Sequence, residues 1–187
     1  MYYILGDKEI MKDKLKYLIV IDMQKDFIDG SLANPMAEKI VEPICNEILK
    51  GDYDKIIFTK DTHYPNYMDT LEGKYLPVPH CIFGTEGHEI DPRLLEAAKQ
   101  SKKKLLFINK LHFGYDNWGS LIHDDVEEVT LVGTCTDICV ISNALAIKAL
   151  NTVEPKVKVI GSLCAATTEE NQEHALSVMK MCQVEVK

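Results

Sequence analysis

The sequence predicts an α/β fold in which a mostly parallel sheet is covered by helices on both faces. Three observations support this prediction. The 187 residues suit a single domain with one substantial core. Apolar runs of strand length alternate along the chain with helical patterns, which is typical of right-handed strand–helix–strand units. Several of these runs lack polar alternation, which indicates strands covered on both faces.

Six apolar runs define the predicted strands. The first reads YLIVID, a continuous apolar stretch that ends in a charge, and four others have the same character. The sixth run, near the end of the chain, is less apolar. The predicted strands cover residues 17–22, 55–59, 104–108, 129–133, 157–160 and 183–186.

Capping residues and prolines mark the starts of the predicted helices. Asn34 precedes Pro35, a combination that favours a helix start, and Pro43 predicts a kink or a break in the helix that follows. Three further helices are expected: residues 93–100 after an Asp-Pro start, residues 138–150 as a buried helix, and a helix from a capping box at Thr167–Glu170 through about Met181.

Composition and charge restrict the classes of function. The net charge of −8, without a cluster of Lys and Arg, argues against nucleic acid as a partner. No apolar run approaches the roughly 20 residues of a membrane helix, and acidic residues interrupt the apolar patch near the start, so neither a membrane partner nor a signal peptide is expected. Residues 1–15 are predicted to be an extension before a domain over 16–187, with Met11 as an alternative start to Met1. Six cysteines without CxxC spacing indicate reduced thiols in a cytoplasmic protein.

Four predicted strand ends carry residues that could take part in chemistry. Asp22 closes the first strand, Asp61 and His63 follow the second, Lys110 follows the third, and Cys139 follows the fourth. Sites in open α/β sheets lie beyond the carboxyl ends of the strands. We therefore expect these side chains to meet at one edge of the sheet.

Cys139 is the candidate nucleophile. A cysteine in the first turn of a helix lies near the positive end of the helix dipole, which stabilises the thiolate, and near free N–H groups that could hold an oxyanion. Asp22 could be the base, and Lys110 could lower the pKa of the thiol and orient the acid. Cys135 is a rival in the preceding turn. The alternatives are a packed cysteine, a solvated strand end and a surface lysine.

A second group of polar residues suits a metal ion. Asp61 and His63 lie on the same side of an extended segment, and His80 follows in the next part of the chain. One carboxylate with two imidazoles suits Zn²⁺, with Fe²⁺ or Mn²⁺ as alternatives. Glu72 or Asp69 could add a ligand or support the site. Alternatively, these side chains make turn hydrogen bonds or pack in the core.

Three motifs together resemble the isochorismatase-like cysteine hydrolases, and within them the nicotinamidases, over about residues 17–186. They are Ile21-Asp22-Met23-Gln24-Lys25-Asp26-Phe27, Lys110 at the end of the third strand, and Thr134-Cys135-Thr136-Asp137-Ile138-Cys139. The resemblance implies a three-layer α/β/α fold with a six-stranded parallel sheet, and Asp22, Lys110 and Cys139 as the catalytic residues. It also implies a cis peptide bond between Thr134 and Cys135, and an oxyanion hole formed by the backbone N–H groups of Cys135 and Cys139.

The resemblance extends to the metal site. It implies ligation by Asp61, His63 and His80, and we choose Glu72 over Asp69 as the further ligand.

The resemblance also predicts a substrate pocket, and here the chain departs from the family. Phe27 would form one wall. Nicotinamidases often carry Trp or Phe just before a Pro-Pro-His segment, whereas this chain reads Tyr75-Leu76-Pro77-Val78-Pro79-His80, so Tyr75 or Trp118 could substitute. Residues 111–118 do not follow the nicotinamidase pattern.

The function implied by the resemblance is cysteine-dependent amide hydrolysis. Nicotinamide would be converted to nicotinate and ammonia through a thioester on Cys139, with a divalent metal ion, Zn²⁺ first, as cofactor. Another small amide, carbamoyl or ureido compound is an alternative substrate. A non-catalytic binding protein on the same fold is a second alternative. Because relatives often form dimers or tetramers, a homo-oligomer is a further expectation.

Overall fold

The computed structural model describes residues 14–187, and a six-stranded parallel sheet forms its centre. The strands are β1 (Leu15–Ile21), β2 (Lys55–Asp61), β3 (Lys104–Lys110), β4 (Val126–Thr134), β5 (Lys156–Ala165) and β6 (Glu185–Val186). Their order is β3-β2-β1-β4-β5-β6. Every pair of neighbouring strands is parallel. All six predicted strands are present, and most run a few residues further than their apolar centres.

Six α-helices connect the strands. They are α1 (Lys25–Ile28), α2 (Pro35–Lys50), α3 (Leu71–Tyr75), α4 (Pro92–Ser101), α5 (Ile141–Lys148) and α6 (Glu169–Met181). Of the kink or break predicted at Pro43, the break is wrong, because α2 continues through it. The capping-box position is also wrong by one residue: Thr168, rather than Thr167, caps α6 by accepting a hydrogen bond from the backbone N–H of Asn171.

Two hydrophobic cores lie on opposite faces of the sheet, as strand alternation requires. In β1, Tyr17, Ile19 and Ile21 belong to the core that includes buried residues of α5 and α6. Leu18 and Val20 belong to the core shared with α2 and α4. Burial of each large apolar side chain stabilises the fold by roughly 1.5–3 kcal/mol. These layers confirm the predicted three-layer α/β/α fold.

The point where the strand order reverses lies between β1 and β4, and a glycine makes their close approach possible there. Gly133 in β4 pairs with Ile21 in β1 and has a φ of +119°, which favours glycine. A Cβ at this position would lie 2.2 Å from the carbonyl oxygen of Ile21. The carboxyl ends of β1 and β4 therefore open into the crevice where α/β sheets bind ligands.

The predictions for the N-terminal extension, a membrane helix and the cysteines have different outcomes. Residues 1–13, with most of the predicted extension and the alternative start at Met11, lie outside the described residues. Within residues 14–187, no helix combines the length and apolar character needed to cross a membrane. All six cysteines fall in this part of the chain and none is in a disulfide.

Candidate active site and metal-ligand cluster

Two side chains that follow other strands, Asp22 after β1 and Cys139 after β4, converge on Lys110. This lysine is the last residue of β3, and only 1% of it is exposed. Its Nζ lies 2.5 Å from Asp22 Oδ2 and 3.7 Å from Cys139 Sγ. It also donates a hydrogen bond of 3.3 Å to the carbonyl oxygen of His112. The predicted meeting of Asp22, Lys110 and Cys139 at one sheet edge is thus present in the geometry.

Asp22 is held rigidly beside this lysine. It directly follows β1 with a φ of +48°, a conformation that turns the chain sharply away from the strand. The hydroxyl of Thr59 donates to Asp22 Oδ1 at 2.6 Å and accepts from the Asp22 backbone N–H at 3.2 Å. Burial raises the pKa of Asp22, although the ammonium of Lys110 opposes this. Its pKa is therefore closer to neutral pH than that of an ordinary aspartate, as a general base requires.

Cys139 lies in a tighter setting than the sequence predicts. Thr136–Val140 forms a turn of π-helix before α5 begins, so Cys139 is not in the first turn of an α-helix. The turn closes through a hydrogen bond of 3.0 Å from the Val140 N–H to the Cys135 carbonyl oxygen. Burial, and next the charge of Asp22, raise the pKa of the Cys139 thiol well above its usual value, while Lys110 lowers it. At neutral pH this group is a thiol that needs a base, and a preformed thiolate is not favoured.

The segment before the nucleophile candidate has the unusual backbone that the resemblance implies. The peptide bond between Thr134 and Cys135 is cis. Thr134 Oγ1 donates to the Ala165 carbonyl oxygen at 3.1 Å, which holds the end of β4 against β5. Burial raises the pKa of Cys135 to about 11. Thr134 and Cys135 both line the cavity described below, together with Cys139.

The four residues chosen as metal ligands form one compact cluster. One ligand atom each from Asp61, His63, Glu72 and His80 lies within 4.8 Å of all the others. Asp61 Oδ2 is 3.0 Å from His63 Nε2 and 3.4 Å from His80 Nε2. Glu72 Oε1 is 3.6 Å and 3.8 Å from the same two nitrogens. Asp69, the alternative ligand, lies in a 3₁₀ turn and is not part of the cluster.

The surroundings of the cluster prepare its ligands for a cation. His80 Nδ1 donates to the Val78 carbonyl oxygen at 2.9 Å, which leaves Nε2 free to point into the cluster. Burial acts to raise the pKa of Asp61, but the neighbouring His63, His80 and Lys110 side chains together outweigh it and the pKa is lowered. Asp61 also connects the two groups, because its Oδ1 lies 3.7 Å from Lys110 Nζ. Two imidazoles and two carboxylates at this spacing suit Zn²⁺ or a similar divalent ion.

Two residues of the opening motif hold the cluster in place, and the sequence indicated no role for either. The buried amide of Gln24 donates to the carbonyl oxygens of Asp61 (2.9 Å) and His88 (3.0 Å), and accepts from the Asp61 N–H (2.7 Å). Asp26 Oδ2 accepts a hydrogen bond of 2.7 Å from the backbone N–H of Cys81, next to His80. The only sign of these roles in the sequence was that both residues belong to the motif between β1 and α2.

A cavity of about 390 Å³ opens at Cys139, whose sulfur contacts the buried Lys110. Its wall is mainly apolar, and its polar residues come from the Thr134–Cys139 segment, the metal-ligand cluster and two loops. The lining residues are Phe27, Leu32, Ala33, Asn34, Pro35, Asp61, Glu72, Leu76, His80, Phe113, Thr134, Cys135, Ile138, Cys139 and Thr167. Among the described residues, none of those that line the cavity is Lys or Arg.

The aromatic wall differs from the sequence-based expectation. Phe27 lines the cavity as predicted, with its ring centroid 5.6 Å from that of His80. Trp118 does not: it is 1% exposed, and its indole N–H donates to Asn143 Oδ1 at 3.0 Å. Tyr75 is 84% exposed and lines a neighbouring cavity instead. Phe113, which the sequence analysis did not select, supplies the second aromatic ring.

Comparison with known proteins agrees with this geometry. The protein-family model described as the Isochorismatase domain matches residues 16–186 of the sequence. The chain belongs to the isochorismatase family. Over 194 residues this family member is 26% identical to the nicotinamidase/pyrazinamidase of Mycobacterium tuberculosis, covering 92% of the chain and 98% of that protein. The predicted family and fold are confirmed.

Solved structures give the same assignment. The crystal structure of a nicotinamidase/pyrazinamidase from Bacillus subtilis is 29% identical to this isochorismatase-family chain, with a TM-score of 0.73 over 92% of the chain and 98% of that structure. The pyrazinamidase of Pyrococcus horikoshii, in complex with zinc, is 26% identical, with a TM-score of 0.70 over 92% and 98%.

Proposed function

We propose that this chain is a cysteine-dependent amidohydrolase that acts on a small neutral amide, with nicotinamide as the first candidate. Nicotinamide and water would yield nicotinate and ammonia. The observation that carries the proposal is the buried ammonium of Lys110, which contacts both the carboxylate of Asp22 and the sulfur of Cys139, a residue that lines a cavity. The similar nicotinamidases support an amide C–N bond as the target.

The first half of the reaction forms a thioester. Asp22 accepts the proton of the Cys139 thiol as the sulfur attacks the amide carbonyl carbon. Backbone N–H groups of Cys135 and Cys139 hold the resulting oxyanion. Asp22 then gives the proton to the amide nitrogen, the C–N bond breaks, and ammonia leaves. Lys110 remains an ammonium throughout: burial lowers its pKa, but Asp22, the sulfur of Cys139 and Asp61 together outweigh burial and raise it.

The second half releases the acid. A water molecule attacks the thioester carbonyl carbon while Asp22 accepts one of its protons. The C–S bond breaks, and the sulfur of Cys139 takes the proton back from Asp22. The enzyme returns to its starting protonation state, with Asp22 ionised beside Lys110.

A divalent cation fits the neighbouring cluster, and we propose Zn²⁺ before Fe²⁺ or Mn²⁺. Asp61, His63, Glu72 and His80 would hold it, since their donor atoms and spacing suit this class of ion. A bound cation would supply a Lewis acid that binds a ring nitrogen or another lone pair of the substrate. Asp61 would fix the position of this site relative to Lys110, because its other carboxylate oxygen, Oδ1, lies 3.7 Å from Lys110 Nζ.

The cavity favours neutral amides over ureido acids. A buried substrate carboxylate is best held by a cationic side chain, and the described lining residues include no Lys or Arg, so a carboxylate would depend on Asn34, Thr167 or the proposed cation. Because neither Tyr75 nor Trp118 lines the cavity, a stacking wall for a pyridine ring rests on Phe27 and Phe113. Other small neutral amides and carbamoyl compounds are therefore the second candidate substrates. A cytoplasmic location is part of the proposal, since six unpaired thiols suit a reducing compartment.

Ammonia release from a panel of small amides, including nicotinamide, tests the proposal. Cys139→Ala should abolish turnover, while Cys182→Ser, at an exposed cysteine, should retain it. Turnover in Cys139→Ala would refute a cysteine mechanism, and no turnover of any amide by the wild type would favour a non-catalytic protein. Metal analysis of the purified protein separates the candidates further: without a stoichiometric metal, the nicotinamidase assignment loses its support.

A further inference from the structure

One fully buried amide connects the nucleophile turn to the loop after β3. Asn143 lies in α5, one turn after Cys139, and none of it is exposed. Its Nδ2 donates to the carbonyl oxygens of Cys139 (2.8 Å) and Phe113 (3.0 Å). Its Oδ1 accepts from the Tyr115 N–H (2.9 Å) and from the indole N–H of Trp118 (3.0 Å). The two donors and two acceptor sites of the side chain are all used.

The loop that Asn143 holds forms part of the cavity wall. Residues 111–117 follow Lys110, and the ring of Phe113 lines both the candidate active-site cavity and the neighbouring one. Phe113 is 46% exposed, so packing alone holds it weakly. Its position depends instead on backbone contacts: Lys110 binds the His112 carbonyl oxygen and Asn143 binds the next carbonyl along the chain.

We propose that Asn143 is a positioning residue that sets the substrate specificity of this site by fixing Phe113 against Cys139. The inference rests on the proposed amidohydrolase function. A single planar amide binds the main chain of both the nucleophile and the wall residue, so it fixes the space between them. The same amide anchors Trp118, which explains why this tryptophan is in the core and away from the substrate. Residues 111–118, where the chain departs from the nicotinamidase pattern, thereby become a rigid wall.

Steady-state kinetics with the best amide of the panel test this role. Asn143→Ala removes both donors, and we expect KM to rise roughly tenfold while kcat changes less than about threefold. In a Phe113→Ala background the same change should alter KM less than about threefold, because the wall that Asn143 positions is already gone. Asn143→Ser, which retains one donor and one acceptor, is the second variant if the alanine variant does not fold.

Ser142→Ala is the matched control. Ser142 donates a hydrogen bond of 2.6 Å to the carbonyl oxygen of Ile138, in the same nucleophile turn, but none of its hydrogen bonds reaches the 111–118 loop. Its loss should change KM less than about twofold. If Ser142→Ala and Asn143→Ala change KM equally, the effect belongs to the turn as a whole, and the proposal fails.

Trp118 provides a spectroscopic measurement that is independent of activity. It is the single tryptophan of the chain and is buried with its N–H bonded to Asn143. Release of the loop in Asn143→Ala should therefore shift its emission to longer wavelength, while Ser142→Ala leaves the spectrum unchanged. An unshifted spectrum together with an unchanged KM would overturn the proposal.

Failure of the proposed function remains distinguishable from failure of this inference. If the wild type hydrolyses no amide, the double-variant cycle is repeated with iodoacetamide, and alkylation of Cys139 is followed by peptide mass spectrometry. Non-additive effects of the Asn143 and Phe113 changes on the alkylation rate support the positioning role. If the effects of the Asn143 and Phe113 changes on KM or on the alkylation rate are additive, the positioning role is refuted, whatever the substrate is.

Discussion

Replacing Lys110 with methionine should lower the free energy of unfolding by about 3–5 kcal/mol at pH 7. Methionine keeps much of the side-chain volume, so packing is largely retained and charge is the main change. Asp22, of which none is exposed, would lose an ammonium 2.5 Å away and keep only the hydroxyl of Thr59 as a side-chain partner. Such a loss is a large share of the roughly 5–15 kcal/mol that stabilises a domain.

Urea denaturation followed by far-ultraviolet circular dichroism measures this loss. Lys104→Met, at the exposed opposite end of β3, is the matched control and should stay within about 0.5 kcal/mol of wild type. Adding Asp22→Asn to Lys110→Met removes the unpaired charge and should recover most of the stability. A loss below about 1 kcal/mol for Lys110→Met would refute the reasoning, and so would a double variant no more stable than the single one.

Three further predictions concern the supports of the site. Glu72→Gln should weaken zinc binding by roughly 10–100-fold in a chelator competition, and unchanged affinity would remove Glu72 from the ligand set. Gln24→Leu should cost about 3 kcal/mol of unfolding free energy, since it leaves the buried backbone N–H and C=O of Asp61 unpaired; a loss under about 1 kcal/mol in urea would contradict this role. Asp91 caps α4, and although burial acts to raise its pKa, hydrogen bonds from Arg93 lower it. Asp91→Ala should therefore cost about 1 kcal/mol at pH 7, and the difference in Tm from wild type should shrink progressively as the pH falls below about 4 and through the lowered pKa of the folded carboxylate.

The sheet and the meeting of the polar strand ends could be predicted because they depend on periodic signals. Uninterrupted apolar runs indicate strands covered on both faces, and parallel strands bring their carboxyl ends to one edge. Those two rules suffice to bring Asp22, Lys110 and Cys139 together. The metal-ligand cluster was predictable for a related reason, since Asp61 ends β2 and His63 comes two residues later, at the edge of the sheet that faces the site.

The pocket wall could not be predicted, because it depends on loop contacts without a periodic pattern. A large aromatic in a loop near the site, such as Trp118, suggested a stacking residue, yet the buried amide of Asn143 draws its indole into the core. Phe113 lines the cavity because its backbone is held, and nothing in its local sequence indicates that. The π-helical turn around Cys139 is a similar case, since its register follows from the strand end before it and α5 after it.

The missing side chain at Gly133 has a consequence for how this protein can change. Any β-carbon there would collide with the main chain of β1 next to Asp22, on the strand that leads into the Cys139 turn. A larger residue would push β1 and β4 apart, and with them Asp22 and the turn that holds Cys139. The distance between the proposed base and the proposed nucleophile therefore depends on the absence of a side chain at this position. Substitutions in the loops around the pocket should therefore be tolerated far better than any substitution at Gly133.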